Sequence, residues 1–341
     1  MDRPPGVDDA MKTLDDLSGP SHRSLLLVHG RDFKPEIEAY MDVSLAALRA
    51  GLERDFPDQT NAFDYIRKQV AWYGDLNAEI LQARGKTYDA DLDFGDRRNA
   101  LNKLREIAPR KRFGIRQYDM LPGKSAVAEF VADISAPVLG AVGLAMPVIC
   151  SVAKDFGEYL KPKSDFGDRV RERMRTSLTE LMDRGDRIML MTHGTGSVVA
   201  YDVLWQLSHH PDYKEQYGDK KVEIWVTMGS PLGDRVVQKR LCGAKEKTDS
   251  RFPANVVSWH NLAAEDDFCC HDNTLADDFK KMLKQRQVSA VNDYRIFNLA
   301  VRYGKSNPHS SVGYYIHPRT SKILADWLQL SDAAAGFKYT L

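Results

Sequence analysis

Short apolar runs alternate with amphipathic stretches along most of this chain. Ser24-Leu-Leu-Leu-Val28, closed by His29-Gly30, is continuously apolar after its first residue, as expected of a strand buried on both faces of a parallel sheet. Comparable runs at Gln69–Tyr73, Arg187–Met191, Val222–Met228, Asn255–Trp259 and Tyr294–Asn298 predict five more strands. Apolar residues recur at spacings of three and four over Asp168–Arg184 and Ser197–Leu207; Pro35 opens an amphipathic helix running to about Arg54, and Ser321–Leu330 predicts a closing helix. This alternation predicts an α/β fold, a mostly parallel central sheet with helices on both faces. No internal repeat interrupts it.

One stretch departs from the pattern. Ile134 to Ala153 carries no charge and is broken by Pro137, Gly140, Gly143 and Pro147. Its length matches the roughly 20 apolar residues that cross a bilayer. A single span, however, would place the strands at Gln69 and Arg187 on opposite sides of a membrane, and the prolines and glycines suit a bent, packed helical pair. The expectation is an apolar helical cap over the carboxyl edge of the sheet, within an insertion at 122–165; buried core helices and membrane contact are the alternatives. Residues 1–20, with Pro4, Pro5, Pro20 and several aspartates, read as a poorly ordered lead-in. Residues 21–330 form the expected single domain and 331–341 a tail.

With 341 residues, 43% of them hydrophobic, the chain can bury a large core as one domain. Its 48 basic and 48 acidic residues cancel, so no global field draws it to nucleic acid or to an anionic membrane, and a small or lipophilic partner is expected. Cys150, Cys242, Cys269 and Cys270 form no CxxC pair and no ladder, and no signal peptide is evident, which points to a reducing cytoplasm. Adjacent Cys269 and Cys270 would bridge only with strain and read as ordinary thiols. His209, His210 and His271 make no metal-ligand pattern and there is no HExxH, so neither metal nor cofactor is expected.

The segment Ile188 to Leu204 reads as strand, sharp turn and helix, with Thr192 and Gly196 as the small residues flanking Gly194. Together with His29-Gly30, Thr227-Met-Gly-Ser-Pro-Leu-Gly233, Trp259-His-Asn-Leu-Ala-Ala-Glu-Asp-Asp-Phe268 and Asn307-Pro-His-Ser-Ser-Val-Gly-Tyr314, it resembles the α/β-hydrolases, most of all their lipase and esterase-like branch, over about residues 24 to 330. The resemblance implies a nucleophile elbow at 194, a base at His309 with His317 as competitor, and an orienting acid at Asp267, with Asp266 beside it and Asp272 more remote. The backbone N–H groups of Arg31 and Thr195 would form the oxyanion hole. His193, just before the nucleophile position, would be a structural residue of the elbow. The implied ligand, given the apolar 134–153 stretch, is a hydrophobic or lipid-like ester.

Gly194 departs from that pattern, since the family has a serine there and glycine offers no attacking atom. Shifting the frame does not help: Thr195 as nucleophile would put His193 at a position needing a small residue, and Ser197 belongs in the first helical turn. Three accounts of the glycine stand: an introduced replacement, a natural binding or regulatory protein that kept the pocket, and a hydrolase in which His309 activates a water. A structural protein without a ligand is a further class.

Overall fold

In the computed structural model, which describes residues 22–107, 113–123, 153–270 and 274–330, six strands build one sheet in which every pairing is parallel. They are β1 (Arg23–Val28), β2 (Arg67–Ala71), β3 (Arg187–His193), β4 (Val222–Met228), β5 (Val256–Ala264) and β6 (Ala290–Ile296), in the spatial order β2-β1-β3-β4-β5-β6. Central β3 is buried at all seven positions, which is why its sequence is a continuous apolar run and not an alternating one. A two-stranded ribbon, β7 (Val301–Arg302) with β8 (Lys305–Ser306), follows β6.

The principal helices are α1 (Ile37–Asp55), α2 (Gly74–Gln82), α3 (Ala90–Arg105), α4 (Lys154–Tyr159), α5 (Asp165–Asp183), α6 (Gly196–His209), α7 (Ser311–Ile316) and α8 (Pro318–Gln329). They cover both faces. Leu25, Leu27, Met189 and Met191 point to a core closed by α1, α3, α7 and α8, while Leu26, Val28, Ile188 and Leu190 point to one closed by α2, α4, α5 and α6. Local chemistry sets several starts: Asp89 accepts the Leu92 N–H to cap α3, Ser164 accepts that of Gly167 to cap α5, and Pro318 occupies the first turn of α8. The fold is α/β.

Besides the extensions of β1 back to Arg23 and of β3 on to His193, three strands differ from their expected bounds. β2 ends at Ala71, because Gly74 already opens α2. β5 continues to Ala264, since its last residues keep pairing with β6 up to Ile296. β6 begins at Ala290, four residues earlier than its aromatic signal; as an edge strand it is mostly half-exposed, and its polar residues hide its start. Most of the apolar 134–153 stretch lies outside the described residues, as do the lead-in, the tail and Asp272. Where the chain is described again, α4 is buried through Phe156 and Tyr159 in the same core as α5 and α6, and the Tyr159 hydroxyl donates to Asp202 Oδ2 at 2.7 Å. Among the described residues no helix is long and apolar enough to cross a membrane.

Candidate functional site at the carboxyl ends of the strands

The chain leaves β1 toward β2 on one side, whereas β3, β4, β5 and β6 extend the sheet on the other. Such a reversal opens a crevice beyond the carboxyl ends of the strands. His29-Gly30-Arg31 follows β1, Gly194-Thr195 follows β3, Gly229 follows β4, and Asp267 lies just past β5. Parallel pairing brings all four segments to one edge.

Gly194 turns the chain with φ +56°, its N–H bonded to the Met228 carbonyl at 2.8 Å and its own carbonyl accepting the Ser197 N–H at 3.1 Å. That left-handed backbone costs an ordinary L-residue about 1–2 kcal/mol, and glycine avoids the penalty. α6 begins two residues later against the end of β1, so closely that a Cβ on Gly196 would collide with the His29 carbonyl oxygen.

The side of Gly194 where a Cβ would project faces His309, with Nε2 3.1 Å and Cε1 3.3 Å from that point. On the opposite edge of the ring, Nδ1 donates to Asp267, whose oxygens lie at 3.0 and 2.9 Å. Asp267 also accepts the Tyr314 hydroxyl at 2.7 Å and the Cys269 N–H at 3.0 Å, and its side chain is wholly buried while the His309 ring is 28% exposed. Burial works to lower the His309 pKa, but the Asp267 charge and hydrogen bonds, aided by Cys269, oppose it, and the net pKa lies well above the ordinary value. The ring edge opposite Asp267 turns Nε2 toward Gly194.

Several supports of this pair have only a weak sequence signal. Asn298, fully buried two residues past β6, donates to the carbonyls of Pro308 and Ser310 at 2.8 and 2.9 Å and so clamps the loop carrying His309. Gly229 supplies room: a Cβ there would come within 2.6 Å of Asp267 Oδ2 and 3.0 Å of His309 Nδ1. The His193 ring lies tilted against His309, centroids 4.6 Å apart, and donates from Nε2 to the His309 carbonyl at 2.9 Å; burial, then the neighbouring His309 charge, lower its pKa well below the ordinary value.

Other candidates lie elsewhere or are engaged. The Arg31 N–H donates to Thr195 Oγ1 at 2.8 Å, so one of the two expected oxyanion donors is used internally, as is the Thr195 hydroxyl. The Thr195 backbone nitrogen lies 3.4 Å from where a Cβ on Gly30 would stand. Ser197 Oγ is buried 3.0 Å from the Thr192 hydroxyl. Asp266 accepts the Tyr118 hydroxyl at 2.7 Å, and His317 caps α8 by accepting the Arg319 N–H at 3.0 Å. Asp267, Cys269 and His309 bring donor atoms within 4.8 Å of one another, but the carboxylate and imidazole are already spent on each other, which reads as a hydrogen-bonded group and not a metal centre.

No protein-family model matches the chain, and no curated protein and no solved structure matches it. Geometry and chemistry at the sheet edge are therefore what a functional reading rests on.

The framework of the site carries a pH signature. His29 is fully buried, donates from Nδ1 to the Gly30 carbonyl at 2.9 Å and accepts the Tyr73 N–H at Nε2; burial lowers its pKa to about 3. Because the folded pKa is depressed, the unfolded chain binds this proton first. Stability is thus present above pH 6.5 and lost as pH falls from there toward 3, by about 2 kcal/mol at pH 5 from this one group. Urea unfolding at pH 7 and pH 5 checks this, with His29→Gln expected to flatten the difference.

Proposed function

We propose that this chain is an α/β-hydrolase-fold protein that has lost its nucleophile and works as a ligand-binding pseudo-hydrolase. The observation that carries the reading is the approach between Gly194 and His309: the position where a nucleophile would stand holds no attacking atom, yet it faces Nε2 of a histidine paired with a buried carboxylate. Two features support binding over turnover. Glycine cannot form a covalent intermediate, so acyl transfer in two easier steps is closed. The Thr195 hydroxyl, engaged with the Arg31 N–H, occupies one donor that a developing oxyanion would need.

Release of nitrophenol from short and long 4-nitrophenyl esters tests the reading. The expected result is no rate above buffer, unchanged in His309→Ala. Turnover by the unaltered chain that His309→Ala abolishes would instead establish a hydrolase using a histidine-activated water.

A further inference from the structure

The described residues beside His309 enclose a cleft of about 330 Å³, in the size range of small-molecule sites. Its lining is charged. Arg31, Lys34, Arg97 and Arg302 contribute four cations against two carboxylates, Asp32 and Asp93. Asp93 is consumed by neighbours, taking Arg97 Nε at 2.8 Å and Arg302 at 2.6 Å, and Arg302 is further held by Asp96. Lys34 spends its ammonium on the carbonyls of Arg31, Asp32 and Phe33.

Apart from the Asp32 carboxylate, which accepts the Phe33 N–H at 3.0 Å, the groups left unspent are donors. Among the described residues the guanidinium of Arg31 has no ion pair or hydrogen bond, and Arg97 uses only Nε although its side chain is just 13% exposed. Ser310 lines the same cleft, and its buried hydroxyl has no hydrogen-bond partner among the described residues. A buried donor left without an acceptor, as the Ser310 hydroxyl is, costs about 1–3 kcal/mol, which a bound acceptor would recover. The positive excess is also felt locally: burial and then the Arg97 charge push the Lys34 ammonium down to about 8. A larger surface groove, of about 480 Å³, is arginine-rich too, but its arginines are paired, Arg171 with Asp168 and Arg175 with Glu172 among them.

We propose that this cleft binds a small organic anion, whose carboxylate or phosphate group is held by Arg31, Arg97 and the Ser310 hydroxyl beside His309. The proposal rests on the reading of the site as a ligand-binding one and names the ligand class. The stacked rings of Phe33 and Tyr88, 4.9 Å apart and also lining the cleft, give the body of such a ligand an apolar wall.

Calorimetric titration of the full chain with phenyl phosphate, benzoate and neutral benzamide tests it. One anion should bind saturably and at least tenfold tighter than benzamide, the tighter of the two identifying phosphate or carboxylate as the preferred group. Arg31→Gln and Arg97→Gln should each weaken that binding about tenfold, the worth of roughly one charged hydrogen bond. Arg97 braces Asp93, so Arg31→Gln, whose side chain braces nothing described, guards against a folding artefact. Equal binding of benzamide, unchanged affinity in Arg31→Gln, or no saturable binding of either anion in the millimolar range would overturn the proposal. Ester turnover would overturn the non-catalytic reading alone and leave the anion preference standing.

Discussion

Replacing Asp267 with asparagine is expected to carry the His309 pKa from well above its ordinary value to below it. In the unaltered chain burial already disfavours the imidazolium, and the Asp267 carboxylate is the largest force tipping the balance the other way. The sign follows directly, because Asp267→Asn keeps the burial and removes the charge. The amide also cannot accept from His309, Tyr314 and the Cys269 N–H together, since one of its two terminal atoms is a donor. Losing one partner of a buried pair costs about 3–5 kcal/mol, and the partial exposure of His309 places the loss at the lower end. The pair's raised histidine pKa contributes fully below pH 6.5 and fades as pH rises through the folded value, so the deficit should shrink in alkali. Histidine titration by NMR and urea unfolding at two pH values read both effects.

Gly194→Ser is expected to give the chain ester-cleaving activity at some expense of stability. The backbone at φ +56° penalises any L-residue by about 1–2 kcal/mol. The new Cβ would stand 3.1 Å from His309 Nε2, so the ring must retreat by a few tenths of an ångström. A hydroxyl carried there lies within reach of a histidine already oriented by Asp267, and a positioned base contributes about 10²–10⁴-fold. The gain should fall short of a complete site, because the Arg31 N–H is held by Thr195 Oγ1 and one missing oxyanion donor costs about 10²–10³-fold. Rates on 4-nitrophenyl esters, compared with Gly194→Ala as the control for backbone strain, check the expectation.

The α/β architecture is legible in the sequence because central strands in a parallel sheet are apolar on both faces, as β1 and β3 are. The edge strand β6 starts four residues ahead of its aromatic signal for the converse reason, its half-exposed positions carrying Asn292, Asp293 and Arg295. Motif order singles out Gly194, His309 and Asp267, and the fold brings them together at one edge. Asn298 and Gly229 escape such a reading as supports, since a clamp on a loop carbonyl and space for a carboxylate leave no pattern of spacing. The charge of the cleft is equally hidden. Arg97 and Arg302 are far apart in sequence and meet only through Asp93, while the balanced total of 48 basic and 48 acidic residues masks a local excess.

Whether the histidine–aspartate pair faces the place of a lost nucleophile can be read by intact-mass spectrometry after exposure to a fluorophosphonate. The unaltered chain should keep its mass, and Gly194→Ser should gain a single adduct, at position 194. An adduct on the unaltered chain, or none on the folded Gly194→Ser variant, would contradict a hydrolase-like site without its attacking hydroxyl.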